Sequence, residues 1–209
     1  FLSDNEESAW YIPTEDMLSL YDEENDVRFS TFFTIYDGLQ SNGLTLRAYV
    51  FNKYPGNESL KTGTQRNFVN MMKPFRLSEL YLIAAESAAA IGDATNVAKA
   101  NSYLNTLRTN RIANYENVNL TASALIQNIR AERLKELIGE GFRLSDLRRW
   151  NLGFNRNGNY PRNPEVENIF VTSGKTLSYQ AGDYRFVWPI PATEMQSNPQ
   201  LAGQQNPGY

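Results

Sequence analysis

At 209 residues, with 20 basic side chains against 23 acidic ones and a net charge of -3, the chain has the length for one core-bearing domain and no electrostatic reason to hold nucleic acid or an anionic membrane. It contains neither Cys nor His, which excludes disulfides, thiolate and imidazole metal sites, and nucleophilic arrangements of the Ser-His-Asp or Cys-His type. No glycine loop of phosphate-cradling pattern is present either, so neither a cofactor nor a metal is expected.

Near the start, Pro13, Thr14, Glu15 and Asp16 supply a cap and an acidic first turn, which predicts a short helix over residues 14 to 22. Residues 29 to 36 and 44 to 51 are rich in Phe, Thr, Ile, Tyr and Val. The turn-formers Asp37, Gly38, Asn42 and Gly43 lie between them, so the pair reads as a β-hairpin. Residues 54 to 73 are polar loop, and Pro74 marks entry to a helical block.

From Phe75 to Ile91 the apolar residues Leu77, Leu80, Tyr81, Ile83, Ala84, Ala88 and Ile91 recur at helical steps, and Gly92 with Asp93 ends the run. A partner helix follows from about residue 94 to 108, with Val97, Ala100, Leu104 and Leu107 inward; the short connection makes the two antiparallel. Thr121 or Ser123 caps a third helix that turns Leu125, Ile126, Ile129 and Leu134 inward. Along its flank lie Glu132, Glu136 and Glu140 at four-residue intervals. Past Gly141, a short helix carries Arg143, Asp146, Arg148 and Arg149. A dense ion-pair corner is therefore expected, with Arg143 buried among carboxylates of the third helix. Residues 151 to 164 have loop composition, and residues 169 to 171, 176 to 179 and 185 to 188 read as short strands. The tail from residue 193 is expected to lie extended against the helices.

The run Glu132, Arg133, Lys135, Glu136, Leu137, Glu140, Gly141, Arg143, Asp146, Leu147, Arg149, Trp150 resembles the late helical motif of the SusD/RagB family of outer-membrane nutrient-binding lipoproteins. Further blocks agree in order: Arg76 to Glu86 with Gly92; Ala100, Leu104, Asn105, Leu107, Arg108 and Arg111; and the ending Trp188 to Pro191, Glu194, Asn198, Pro199, Leu201 and Gln205 to Tyr209. Together they cover about residues 75 to 209. The resemblance implies a mainly α fold of helical hairpins, tetratricopeptide-like, with a minor β-hairpin and long loops. Residues 1 to 209 would form a single domain, the C-terminal half of such a protein, since the first residues do not look like a signal peptide and the chain holds none of the lipidated Cys and large helical half that such proteins carry ahead of it. The implied function is binding of an oligosaccharide at the outer membrane and its delivery to a SusC-like TonB-dependent transporter, without chemical change. Membrane attachment would come only through a lipid anchor outside this chain. RagB-like relatives bind peptides instead, and a helical-repeat scaffold for protein partners is a further alternative.

Carboxylate-based glycoside hydrolysis fits the residues poorly. It needs two carboxyls on opposite sides of a sugar with separated pKa values. Three carboxylates on one helix, interleaved with Arg, would all be held ionised. Sugar binding instead calls for exposed aromatic faces beside amides and acids. Trp10 and Tyr11, with Asp4, Asn5 and Glu7 nearby, are the best such cluster, against the competing reading that Trp10 is core packing. Tyr54 and Tyr160 have weaker claims, and Trp150 and Trp188 are expected in the core.

Overall fold

The computed structural model describes residues 11–41, 44–60, 73–156, 162, 177–201 and 203–209. Contacts divide the chain into two units, residues 1–140 with 158–171 and residues 141–157 with 172–209.

In the first unit, α1 (Glu15–Leu18) is capped by the Thr14 side chain, which accepts from Met17 N. Next comes α2 (Val27–Phe32), where a strand is predicted from residue 29. The Asp26 side chain accepts from Arg28 N and so caps a helix at this point, and the turn delivers Arg28 to buried carboxylates. Local capping and ion pairing outweigh the β propensity of the Phe-rich run. Strands β1 (Phe33–Ser41) and β2 (Leu44–Phe51) then pair antiparallel, with a register shift between Tyr36 and Leu39. Leu39, Leu46, Ala48 and Val50 form one buried face, packed by Ile12 and Tyr36.

Three longer helices complete this unit: α3 (Leu77–Ile91), α4 (Ala94–Thr109) and α5 (Ala122–Glu136). Gly92, at φ 78, ends α3 with its N–H on Ala88 O, and Asp93 caps α4 by accepting from Asn96 N. The tight turn makes a helical hairpin, and α5 packs against both members. Ala85, Ala88, Ala89, Ala100, Leu104, Leu125 and Ile129 form the core of this layer. The inward face of α3 differs from the predicted one. Leu82 and the small Ala85, Ala88 and Ala89 are buried, while Leu77, Leu80, Ile83 and Ile91 stay exposed. Two helices close on α3 at once, and alanines let backbones approach where leucines would hold them apart.

Two asparagines one turn apart on α4 organise the strandless segment before α5. Asn101 accepts from Leu120 N and donates to Leu120 O. Asn105 does the same for Val118, accepting from its N and donating to its O. Each side-chain amide stands in for a neighbouring strand and satisfies backbone groups that burial would otherwise orphan. A third apolar cluster of Met17, Leu18, Tyr21, Phe29, Phe32 and Phe33 takes in Leu134 and Ile138 from α5 and the turn beyond it.

The second unit holds α6 (Arg143–Arg149), a two-residue pairing of β3 (Phe154–Asn155) with β4 (Ser178–Tyr179), and α7 (Ala192–Ser197). Phe154, Tyr179 and Phe186 cluster with ring centroids 5.1 to 6.2 Å apart. Residues 184 to 186 form a 3-10 turn rather than the predicted strand, because the Asp183 carboxylate caps it through Arg185 N. The predicted strand at residues 169 to 171 lies outside the described residues. The tail is not extended: after α7 it folds back on residues 187 to 190. Gln205 pairs with both N and O of Ile190, and the Tyr209 hydroxyl donates to Val187 O. A polar tail orders itself here by side-chain bonds to backbone that no strand partner satisfies.

Candidate ligand-binding site

The acidic positions of α5 are the centre of a buried ion-pair lattice in the first unit. Glu136 Oε1 accepts from Arg76 Nη1 at 2.8 Å and Arg111 Nη2 at 3.0 Å, and Oε2 accepts from Arg28 Nη1 and Arg111 Nε, both at 3.0 Å. Arg108 Nε donates to Glu132 Oε2 at 2.7 Å, and Arg28 Nη1 lies 2.7 Å from Glu132 Oε1 as an ion pair without hydrogen-bond geometry. Asp26 takes Arg28 in a fork and Lys135 at 2.8 Å. At the C-terminal end of α5, Lys53 and Arg76 both donate to Glu136 O and pair with Glu140. Cations there also meet the negative end of the helix dipole.

Burial opposes ionisation of Glu136, yet hydrogen bonds from Arg111 and Arg76 and the surrounding guanidinium charges bring its pKa down from 4.5 to about 2. Glu132 and Asp26 are likewise lowered, against burial, by Arg28, Lys135 and, for Glu132, Arg108. None of these three carboxyls is held protonated, so none is prepared for general-acid chemistry. Only the carboxylate side of the predicted corner is found: Glu132, Glu136 and Glu140 pair with Arg28, Lys53, Arg76, Arg108 and Arg111, and the α6 charges expected there supply none of these bonds. Arg143 is exposed rather than buried, and its charged neighbours are Asp146 and Arg156. The expectation failed because contacts distant in sequence, not the adjacent helix, supply the partners.

Of the residues predicted to contact ligand, Trp10 lies outside the described residues, as does Tyr160. Tyr11 is at the surface, 58% exposed, and precedes Ile12 on the hairpin's core. Tyr54 is half-buried, with burial first and then Glu140 raising its hydroxyl pKa. The expected core position of Trp188 is contradicted: its ring is 79% exposed, and its carbonyl accepts from Asn206 Nδ2. Pro189 directly after it biases residue 188 to an extended backbone, outside any helix or strand. Trp150 is half-buried, with the Arg149 guanidinium 4.5 Å from its ring centre.

Within the second unit a cleft of about 350 Å³ opens between the end of α6 and the folded tail. Its aromatic wall is Tyr184, 43% exposed, whose ring meets Tyr209 edge-on at 5.1 Å. Gly208 is required behind that ring, since a Cβ there would fall 2.5 Å from Tyr184 Cγ. Polar lining comes from Arg148, Asn151, Asp183 and Asn206. Asp183 is committed to Arg185, which donates to its two oxygens at 2.8 and 2.7 Å and holds its pKa down at about 2. Sequence reasoning missed this lining. Its one local signal was Asp183 two residues before Arg185, and only folding brings α6 and the tail together.

The helical-hairpin layer and β-hairpin place the chain among mainly α proteins with a minor sheet. The SusD family model (SusD/RagB) matches residues 36–209, and the chain belongs to that family. Among solved structures, a SusD superfamily protein from Bacteroides thetaiotaomicron VPI-5482 is 29% identical, with a TM-score of 0.65 over 93% of this chain and 40% of the other. A putative sugar binding protein from Bacteroides vulgatus ATCC 8482 is 30% identical, with a TM-score of 0.67 over 94% of this chain and 39% of the other. A SusD-like carbohydrate binding protein from the same organism, at 23% identity and a TM-score of 0.63 over 89% and 40% of the two chains, shares the fold. The chain thus spans about two fifths of the length of the solved structures it matches. Among curated proteins, none matches.

Proposed function

We propose that the protein binds an oligosaccharide at the outer surface of the cell and passes it unchanged to a TonB-dependent outer-membrane transporter. Family membership and the likeness to a protein described as sugar binding support this reading. The observation that carries it is the cleft, which sets a partly exposed tyrosine ring beside amide and guanidinium groups. Pyranose rings have apolar C–H faces that pack on aromatic rings and hydroxyls that require donors and acceptors. Trp10 and Tyr11 are the second proposed contact, with Tyr11 58% exposed. Attachment to the membrane is through a lipid anchor of the full-length protein. A glycan array probed with full-length protein tests the reading: saccharide binding is expected. Binding to peptides with none to glycans would favour the RagB-like alternative, and binding to neither would leave a protein-interaction scaffold.

A further inference from the structure

We infer that the cleft of the second unit selects an acidic sugar, a hexuronate, with Arg148 as the group that reads its carboxylate. The inference rests on the saccharide-binding reading and adds the charge of the ligand. Arg148 stands in the last turn of α6 and lines the cleft. Its neighbour Arg149 is engaged, donating to Asp146 at 2.9 Å and lying over the Trp150 ring. Arg148, by contrast, has no side-chain hydrogen bond or ion pair to any described residue.

The nearest acid in the lining does not cancel that charge. Both oxygens of Asp183 are taken by Arg185, whose guanidinium also lies 4.0 Å from the Tyr179 ring centre. An Asp and an Arg locked together leave the cleft with the uncompensated charge of Arg148. Hydroxyl readers stand around it. Asn151 follows α6 with its backbone at φ 50, and its amide has no hydrogen bond to a described residue. Asn206 is fixed by Nδ2 on Trp188 O at 2.6 Å, and its Oδ1 is left to accept. Gly182 borders the Asn151 amide, and its φ of 74 is a backbone conformation that favours glycine. Tyr184 offers a ring for the C–H face. A neutral hexose uses the amides and the ring but gives a guanidinium fork only hydroxyls. A uronate supplies the planar carboxylate that a fork binds through two parallel bonds.

The test is calorimetric titration of the full-length protein with glucuronate- and galacturonate-containing oligosaccharides and with matched neutral gluco- and galacto-oligosaccharides. NMR of arginine Nε–Hε groups gives an independent readout. The acidic ligands are expected to bind about tenfold more tightly or better, a preference that shrinks with added salt. Arg148→Gln is expected to abolish the preference, bringing acidic-ligand affinity to the level of the neutral set, with an unchanged melting temperature, and Arg148→Lys to restore part of it. Equal affinity for the two ligand sets, or a preference that survives Arg148→Gln, overturns the inference and leaves saccharide binding standing. Failure of every saccharide to bind overturns both.

Discussion

Replacing Glu136 with Gln is the sharpest probe of the lattice around α5. The wild-type carboxylate is 1% exposed and accepts from Arg28, Arg76 and Arg111 through both oxygens. Gln keeps the volume but removes the charge and turns one acceptor into a donor that faces guanidinium groups. Stranding buried cations in this way costs about 3 to 5 kcal/mol. The pKa gives a separate route to the magnitude: a shift from 4.5 to about 2 corresponds to roughly 3 kcal/mol of linkage. Because the folded pKa is the lower one, that contribution is fully present above pH 4.5 and is lost as pH falls toward 2. Urea denaturation followed by circular dichroism, repeated from pH 7 downward, measures both. Wild type should lose stability steeply below pH 4.5, and Glu136→Gln should start lower but fall less steeply over the same range. A cost under about 1 kcal/mol, or parallel curves for the two proteins, would refute the reasoning, since removal of a surface ion pair costs no more than that.

Asn105→Ala should cost about 1 to 3 kcal/mol by orphaning the backbone groups of Val118, with amide exchange at Val118 accelerating as the local readout. Leu82→Ala should cost about 2 to 5 kcal/mol, while Leu80→Glu, on the exposed side of the same helix, should stay within about 0.5 kcal/mol in thermal denaturation. The opposite order would restore the inward face expected from the sequence. Trp10→Ala should weaken oligosaccharide binding by about 1 to 3 kcal/mol without lowering the melting temperature; a lower melting temperature at unchanged affinity would assign Trp10 to packing.

Periodic signals local to one element were legible. The α3–α4 hairpin, its Gly92 stop, the inward Ala100, Leu104 and Leu107, and the second hairpin strand all follow from spacing and turn chemistry. Features set by distant partners were not. The α3 stripe contains apolar residues on more than one face, and only the simultaneous approach of α4 and α5 selects the alanine side. Arg28 reads as part of a loop before a β-prone run, yet its pairing with Glu132 and Glu136 across more than a hundred positions helps hold a helix there. The cleft is of the same kind. Arg148 reads as part of a short helix, Asn151 as the start of a loop, and Asn206 as part of a polar tail. Their shared surface exists only because Gln205, Asn206 and Tyr209 bind the backbone of residues 187 to 190.

In the proposed function a saccharide sits in the cleft against Tyr184. Calorimetry of full-length wild type and Tyr184→Ala, with the saccharide that binds best on the array, tests it most directly. An affinity loss of about 1 kcal/mol or more is expected, with an unchanged far-ultraviolet spectrum. Undiminished affinity in a folded Tyr184→Ala variant would contradict it.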